Sequence, residues 1–299
     1  MSSLTRPTDP NPTAPDAKEP APPEHWPGED GNGLARLRTT LDGIDDQIHD
    51  LLIERGRVVE EVAKTGKRAA LRPGREASII RRLLARHRGS LPPQAIVRIW
   101  RELLAATTGM QGSFTLAVCE PHPGGGYAQL AREQYGSLTP LRVYGDAEQA
   151  IAALSSRRAS VAILPMPSEA ETWWLTALRH RDIHIVARLP FWAPRPDGAS
   201  AVQALVVARF PPDASEHDRS FIGLELDEGV SRARLRADVT AAGFTPCLVV
   251  LRREPGAGLA RALVEVEGHV ADDDQRLDRL LAKRRAVALG GYAVPVGTP

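Results

Sequence analysis

The 299 residues include 42% hydrophobic side chains and nearly balanced charge, with 38 Lys and Arg against 37 Asp and Glu. This composition excludes a strongly basic or largely disordered chain and is typical of a globular protein of about two or three domains. The two cysteines, Cys119 and Cys247, lie far apart and outside any CxxC motif. The sequence therefore predicts neither a disulfide framework nor a structural zinc site.

The N-terminal region is rich in proline and polar residues up to residue 33, and we expect it to be disordered. It lacks the apolar run of a signal peptide, and the sequence holds no stretch of 18 uninterrupted apolar residues that could span a bilayer. We therefore expect a cytoplasmic protein that does not bind a membrane.

A helical segment is predicted from residue 34 to residue 112. Its first part has apolar residues at steps of three and four, which indicate one long amphipathic helix. The positions are Leu34, Leu37, Leu41, Ile44, Ile48, Leu51, Val58 and Val62. Two further helices are predicted around Ile79–Leu84 and Ile96–Leu104, with Pro92 and Pro93 marking the turn between them.

After Gly112 the pattern changes to alternating strands and helices. The runs FTLAVCEP, ASVAILPMP, DIHIVARLP and AVQALVVARF have the character of strands, and YAQLAREQY and DAEQAIAALSS have that of helices. The three glycines at 124–126 lack the spacing of a phosphate-binding loop and are interpreted as a turn. The predicted class is α plus α/β, with an α/β region at 113–217 and a second, α+β region at 218–299.

Polar residues interrupt the apolar faces of all three predicted helices. Arg55 occupies a seam position of the first helix, where an unpaired charge is costly. Arg75 and Glu76 precede Ile79 and Ile80 by one helical turn, and Thr107 and Gln111 continue the face of Leu103. Together they favour a polar pocket inside a helical bundle, although any one of them alone could be structural. We interpret six further arginines as a solvated face: Arg36, Arg57, Arg81, Arg82, Arg86 and Arg88.

The stretches LARLRTTLDGIDDQIHDLLIERGRVVEEVAK, RPGREASIIRRL and IVRIWRELLAATTGMQ resemble the all-helical chorismate mutase family, particularly the mutase domain fused to prephenate dehydratase. The resemblance implies an active site lined by Arg38, Arg55, Arg75, Glu76, Thr107 and Gln111. It also implies a lysine about eleven residues after Arg55. Position 66 is glycine, so Lys67 takes this role, with Lys64 as the alternative. Arg72 stands where the family often has an aspartate.

The family reaction suits these residues, because the rearrangement of chorismate to prephenate is pericyclic and needs positioning and electrostatics rather than a metal or cofactor. Arginines would bind the two carboxylates of the substrate, Lys67 and Gln111 would donate to its ether oxygen, and Glu76 would accept from its hydroxyl. Arg38 and Arg55 lie 17 residues apart, roughly 25 Å along a straight helix. One small substrate cannot contact both, so a homodimer with composite sites is expected, as the resemblance also implies.

The region 113–217 resembles a shortened prephenate dehydratase domain. Val202, Gln203 and Ala204 stand where that family has its catalytic Thr-Arg-Phe, and DIHIVARLPFW leads almost directly to AVQALVVARF, as if a second lobe were missing. We therefore predict no dehydratase activity. The region 218–299 resembles an ACT regulatory domain, but LRREPG and GVSRARL replace its effector-binding signatures.

Two alternatives to a monofunctional mutase of phenylalanine and tyrosine biosynthesis remain open. One is a bifunctional mutase and dehydratase. The other is a non-enzymatic regulator whose helical segment, with 15 Lys and Arg against 9 Asp and Glu, binds nucleic acid or another anionic partner. The positions of Arg55, Thr107 and Gln111 on packing faces favour the enzyme, so no nucleic-acid partner is predicted.

Overall fold

The computed structural model describes residues 31–65, 71–195, 197–254, 256, 258–280 and 285–297. The helices in these ranges are α1 (Gly31–Lys64), α2 (Pro73–Arg86), α3 (Pro93–Met110), α4 (Tyr127–Tyr135), α5 (Ala147–Ser155), α6 (Trp174–Arg179), α7 (Arg232–Ala241) and α8 (Gln275–Asp278). The strands are β1 (Leu116–Cys119), β2 (Leu141–Tyr144), β3 (Val161–Pro165), β4 (His184–Leu189), β5 (Ala204–Ala208), β6 (Asp218–Asp227), β7 (Pro246–Glu254), β8 (Leu259–Glu267) and β9 (Arg285–Ala293). The chain divides into two units between Arg55 and Gly56.

Helix α1 confirms the single long helix predicted from the three-and-four periodicity. Its apolar seam, however, is open to solvent within one chain. Leu37 and Leu51 are each 64% exposed, and Ile48 is 51% exposed. Apolar residues repeated along one face of a helix normally pack against another element, so this seam is a surface suited to a partner.

The strands form one mixed sheet with the order β2-β1-β3-β5-β4-β9-β6-β8-β7. Strands β1, β2 and β3 run parallel, and β5 runs antiparallel to both β3 and β4. Every residue of β1, β3 and β5 is buried, and for β1 and β3 this is because α4 covers one face and α5 covers the other. This explains why these strands are continuously apolar rather than alternating.

The last four strands form a βαββαβ unit in which β9 and β8 flank β6, and β7 lies at the edge. This is the split βαβ arrangement of ferredoxin-like folds. The unit joins the preceding sheet through a parallel pairing of Ile185 in β4 with Gly290 in β9. Gly290 has φ +96°, and a Cβ there would lie 2.2 Å from the carbonyl oxygen of Ile185. Only glycine can make this junction without displacing the strands.

The four predicted strand runs are confirmed as β1, β3, β4 and β5, and the two predicted helices as α4 and α5. The glycines at 124–126 form a turn, in which the amide of Gly125 donates to the carbonyl of His122 at 3.0 Å. Strand β2 was missed because it is short and only partly buried at the edge of the sheet. The six-residue helix α6 was also missed.

Helices α2 and α3 pack together and against the sheet region. The residues that join them include Ala77, Ile80, Val97 and Leu104 from the helices and Phe191 from the segment after β4. The fully buried face of α3 follows Val97, Arg101, Leu104 and Thr108. Of the predicted apolar residues of α3, Leu104 lies on this face, whereas Ile96, Ile99, Trp100 and Leu103 are less buried. Arg101 rather than Thr107 therefore faces inward most fully.

A buried ion pair lies at this contact between helices and sheet. Nη1 of Arg101 donates to Oε2 of Glu76 at 3.0 Å, and both side chains are at least 90% buried. The Arg101 guanidinium also lies 4.5 Å from the centre of the Phe191 ring. A paired charge tolerates burial that an isolated charge does not, so each side chain depends on the other.

Removal of Arg101 tests this dependence. Arg101→Met should lower the free energy of unfolding at pH 7 by about 3 to 5 kcal/mol, because it leaves the Glu76 carboxylate buried without its partner. The double variant Arg101→Met/Glu76→Met should recover most of this loss. Urea denaturation of the full chain measures both.

The loss in the free energy of unfolding caused by Arg101→Met should also depend on pH. Burial raises the pKa of Glu76 to about 6, against the lowering effect of Arg101. Without Arg101 this pKa rises further, so the folded variant holds a proton below it and the destabilisation shrinks as the pH falls from 7 to 5. An equal deficit at both values would contradict the assignment of the loss to a buried charge.

Candidate active site

Helix α2 begins at the segment LRPGRE. Pro73 and Gly74 occupy its first turn, and Arg72 at the N-cap gives the helix no side-chain hydrogen bond. The cap comes instead from Asp213, which is distant in sequence. Its Oδ1 accepts from the amide of Gly74 and its Oδ2 from the amide of Arg75, each at 3.0 Å. A carboxylate at this position satisfies free amides and complements the helix dipole.

The charged pair Arg75 and Glu76 divides between two environments. Glu76 is 7% exposed and faces Arg101, whereas Arg75 is exposed. Consecutive helical residues point about 100° apart, so both cannot face the same core. The expectation of an inward polar residue holds for Glu76 within this chain, whereas Arg75 lies on the surface.

Glu76 is buried together with two other ionisable side chains, Arg101 and Tyr135. Burial raises the pKa of Glu76 and lowers the pKa of Arg101, while their mutual attraction opposes both changes. Burial also raises the pKa of Tyr135, with a further contribution from Glu76. The Tyr135 phenol therefore stays protonated near neutral pH, and Arg101 carries the positive charge that faces Glu76.

Thr107 and Gln111 lie near the end of α3 and are half-buried. The hydroxyl of Thr107 donates to the carbonyls of Leu103 and Leu104, and the side-chain amide of Gln111 donates to the carbonyl of Thr107 at 3.3 Å. These hydrogen bonds stay within one helix. Both side chains keep acceptor or donor capacity for a further partner.

Arg38 and Arg55 lie on α1, where Arg38 is exposed and Arg55 is half-buried. Partial burial lowers the pKa of Arg55. Lys64 is exposed and forms an ion pair with Glu61 at 2.7 Å. Lys67, the preferred lysine, lies outside the described residues.

Two arginines that hold α2 in place were not predicted from the sequence. Arg101 was missed because a buried arginine and a solvated one look alike in sequence, although its spacing from Val97 and Leu104 was a usable signal. Arg81 was wrongly assigned to a solvated face. It is partly buried and donates to Ser215, His217 and Val294.

A cavity of about 330 Å³ lies beside Arg101, between α3, α4 and residues 190–199. Its arginines are largely committed to carboxylates. Arg101 pairs with Glu76, and Arg195 pairs with Glu133 at 2.7 Å. Arg98 is exposed at its rim. Two of its three arginines are thus already paired with carboxylates, which weakens their attraction for a bound dicarboxylate.

In the α/β region, the amino end of α4 already holds an anionic group. Oε2 of Glu120 accepts from the amide of Ala128 at 2.9 Å. Gln203 accepts from Arg188 at 2.9 Å, and Ala204 is buried in β5. A carboxylate at the start of a helix disfavours a second anion there.

Within the described ranges, no three His, Cys, Asp or Glu side chains gather as a metal site. Among the helices of those residues, none combines the length and the apolar character needed to cross a membrane.

Comparison with known proteins finds a similarity in the helical part. Residues 37–112 match the family profile of chorismate mutase type II. A bifunctional chorismate mutase/prephenate dehydratase of Neisseria gonorrhoeae is 25% identical over 135 residues, which are 45% of this chain and 37% of that protein. Its counterpart in Stutzerimonas stutzeri is 28% identical over 106 residues, 33% of this chain and 28% of that protein. The chain thus spans about a third of the length of these relatives.

Among solved structures, the prephenate dehydratase of Streptococcus mutans aligns with 60% of this chain and 97% of its own, at 16% identity and a TM-score of 0.46. The profile match of the helical part is more specific than this structural alignment. The segment 37–112 that matches the chorismate mutase type II profile contains α2, α3 and most of α1.

Proposed function

We propose that the protein is a chorismate mutase that converts chorismate to prephenate in aromatic amino-acid biosynthesis. The observation that carries this proposal is the match of residues 37–112 to the chorismate mutase type II profile. The matched segment holds arginines, a glutamate and a glutamine at the positions that the reaction calls for. The relatives whose names include this activity add support.

The proposed chemistry follows from charge and geometry. Arg38, Arg55 and Arg75 bind the two carboxylates of chorismate and favour its compact conformer. Lys67 and Gln111 donate to the ether oxygen as its bond breaks, where charge develops. Lys64 remains the alternative lysine. Thr107 contributes to substrate binding.

Glu76 is proposed to accept a hydrogen bond from the substrate hydroxyl. Its hydrogen bond from Arg101 uses one of about four lone-pair positions on the carboxylate, so acceptor capacity remains. Arg101 then keeps Glu76 ionised against the effect of burial. No proton transfer to or from Glu76 is needed in this scheme.

A homodimer with two composite sites is part of the proposal. The separation of Arg38 and Arg55, roughly 25 Å along α1, puts them beyond the reach of one substrate. The exposed apolar seam of α1 supports the same conclusion, since it offers a long face for a second copy. Arg38 of one protomer would then complete the site of the other.

We assign the region 113–217 to a shortened, non-catalytic prephenate dehydratase-like domain and 218–299 to an ACT-like domain. The βαββαβ order of the last four strands supports the second assignment. For the first, the support is that Val202, Gln203 and Ala204 replace the catalytic Thr-Arg-Phe and that Glu120 occupies the start of α4. The names of the relatives favour a bifunctional enzyme as the second candidate.

Arg55 provides the direct test of mutase activity. The purified chain should consume chorismate, measured by absorbance, equally well with and without a chelator. Arg55→Ala should reduce kcat/KM at least a hundredfold, since one preorganised charged donor is worth about 3 kcal/mol. Arg57→Ala, an exposed arginine two residues along the same helix, is the matched control and should retain activity. Equal activity of the two variants would return Arg55 to a structural role.

The dehydratase alternative has its own assay. We expect no phenylpyruvate from prephenate at neutral pH above a protein-free blank, which is needed because prephenate also decays spontaneously. The missing Thr-Arg-Phe is the reason. Phenylpyruvate formation that rises with protein concentration would establish the bifunctional enzyme instead.

Mixing two inactive variants tests the composite sites. Arg38→Ala and Arg55→Ala chains, mixed and refolded, should recover roughly a quarter of wild-type activity, since about half of the dimers are mixed and each has one intact site of two. Each variant refolded alone is the control and should recover none. A mixture that recovers no more activity than the two variants refolded separately would contradict the composite arrangement.

A further inference from the structure

The first turn of α2 is fixed by a segment that lies far from it in sequence. Asp213 accepts from the amides of Gly74 and Arg75, and Arg72 lies 3.4 Å from the same carboxylate. The approach is close, because a Cβ on Gly74 would lie 2.2 Å from the carbonyl oxygen of Asp213. Glycine at position 74 therefore allows the cap to reach the helix.

A second anchor lies further along the same helix. Nη1 of Arg81 donates to the carbonyl and the hydroxyl of Ser215, each at 3.0 Å. Its Nη2 donates to the carbonyl of His217 at 3.0 Å and to that of Val294. One guanidinium thus binds four acceptors, which fixes both the position and the rotation of α2.

The anchoring segment 213–217, which we call the α2 clamp, is itself held by the βαββαβ unit. The amide of Ser215 donates to Oδ2 of the buried Asp218, the first residue of β6, at 2.8 Å. The amide of Val294 donates to the carbonyl of His217 at 2.8 Å. Ser215 and Asp218 are buried, and these hydrogen bonds tie the clamp to the start of β6 and to the residue after β9. The position of the sheet therefore sets the position of the clamp on α2.

We propose that the α2 clamp orients the first turn of α2 for the mutase reaction, with Asp213 and Arg81 as positioning residues. The inference rests on the proposed function, because Arg75 and Glu76 in that turn are its candidate substrate contacts. A misplacement of about 1 Å can reduce a rate about a hundredfold. The C-terminal region would then contribute to catalysis without contacting the substrate.

Point variants of the full chain test this. Asp213→Ala removes both acceptors, Asp213→Asn keeps one carbonyl oxygen, and Arg81→Ala removes the second anchor. The exposed Asp273→Ala and Arg82→Ala are matched controls. The measurements are kcat and KM for chorismate, the melting temperature, and amide hydrogen exchange of the peptide spanning residues 71–80.

We expect Asp213→Ala and Arg81→Ala to lower kcat by about tenfold to a hundredfold and to speed exchange in 71–80. Asp213→Asn should fall between Asp213→Ala and the wild type, and both controls should match the wild type. A lower melting temperature with unchanged kcat and KM would overturn the inference, since the clamp would then be only structural.

Amide hydrogen exchange tests the α2 clamp separately from the mutase function. An inactive wild type would count against the mutase function, whereas unchanged exchange in Asp213→Ala would overturn the clamp whatever the activity. If Asp213→Ala does not fold, Asp213→Asn and Arg81→Ala decide the question by the same measurements.

Discussion

A guanidinium and a carboxylate that are both removed from water constrain each other, and the placement of α2 and α3 on the sheet depends on such a pair. Glu76 and Arg101 come from different helices, and Phe191 from the segment after β4 lies against the guanidinium. The two helices cannot slide past each other without leaving a buried charge unpaired. Apolar contacts such as those of Ile80 and Val97 surround this contact but are less directional than the ion pair.

The same short stretch of α2 serves packing and, in our proposal, chemistry. Its first turn contains the capped amides, the surface arginine Arg75 and the buried Glu76. These features share one turn of helix, so the positions of Arg75 and Glu76 depend on the same capped backbone. Burial disfavours the charge on Glu76, and the attraction of Arg101 opposes this effect. Both side chains lose hydration in the process.

Much of the secondary structure was predictable because it depends on local periodicity. The boundaries of α4 match the quoted run YAQLAREQY, and the apolar runs of β1 and β3 are strong because both of their faces are covered. Strand β2 lacks that signal since its middle residues are exposed. The pairing of strands across the chain and the capping of α2 by Asp213 depend on contacts between distant residues, which periodicity does not encode.

The candidate site was predictable to a smaller extent. The anomaly at Glu76 pointed correctly to a buried polar residue, because a charge at an apolar position is conspicuous. Its partner was not identifiable, since Arg101 is one of many arginines in the helical segment and its burial depends on Phe191 and Tyr135, which lie in other elements. The seam of α1 was expected to pack, and within one chain it is exposed. Periodicity identifies an apolar face but not which surface covers it.

The junction at Gly290 affects how the βαββαβ unit can move relative to the strands before it. Many two-part α/β proteins respond to ligands by hinge rotation between separate sheets, with a flexible linker absorbing the change. Here β4 and β9 are neighbours in one sheet, and Gly290 lies against the backbone of Ile185. A hinge rotation of the βαββαβ unit away from the first strands would therefore have to break this strand pairing.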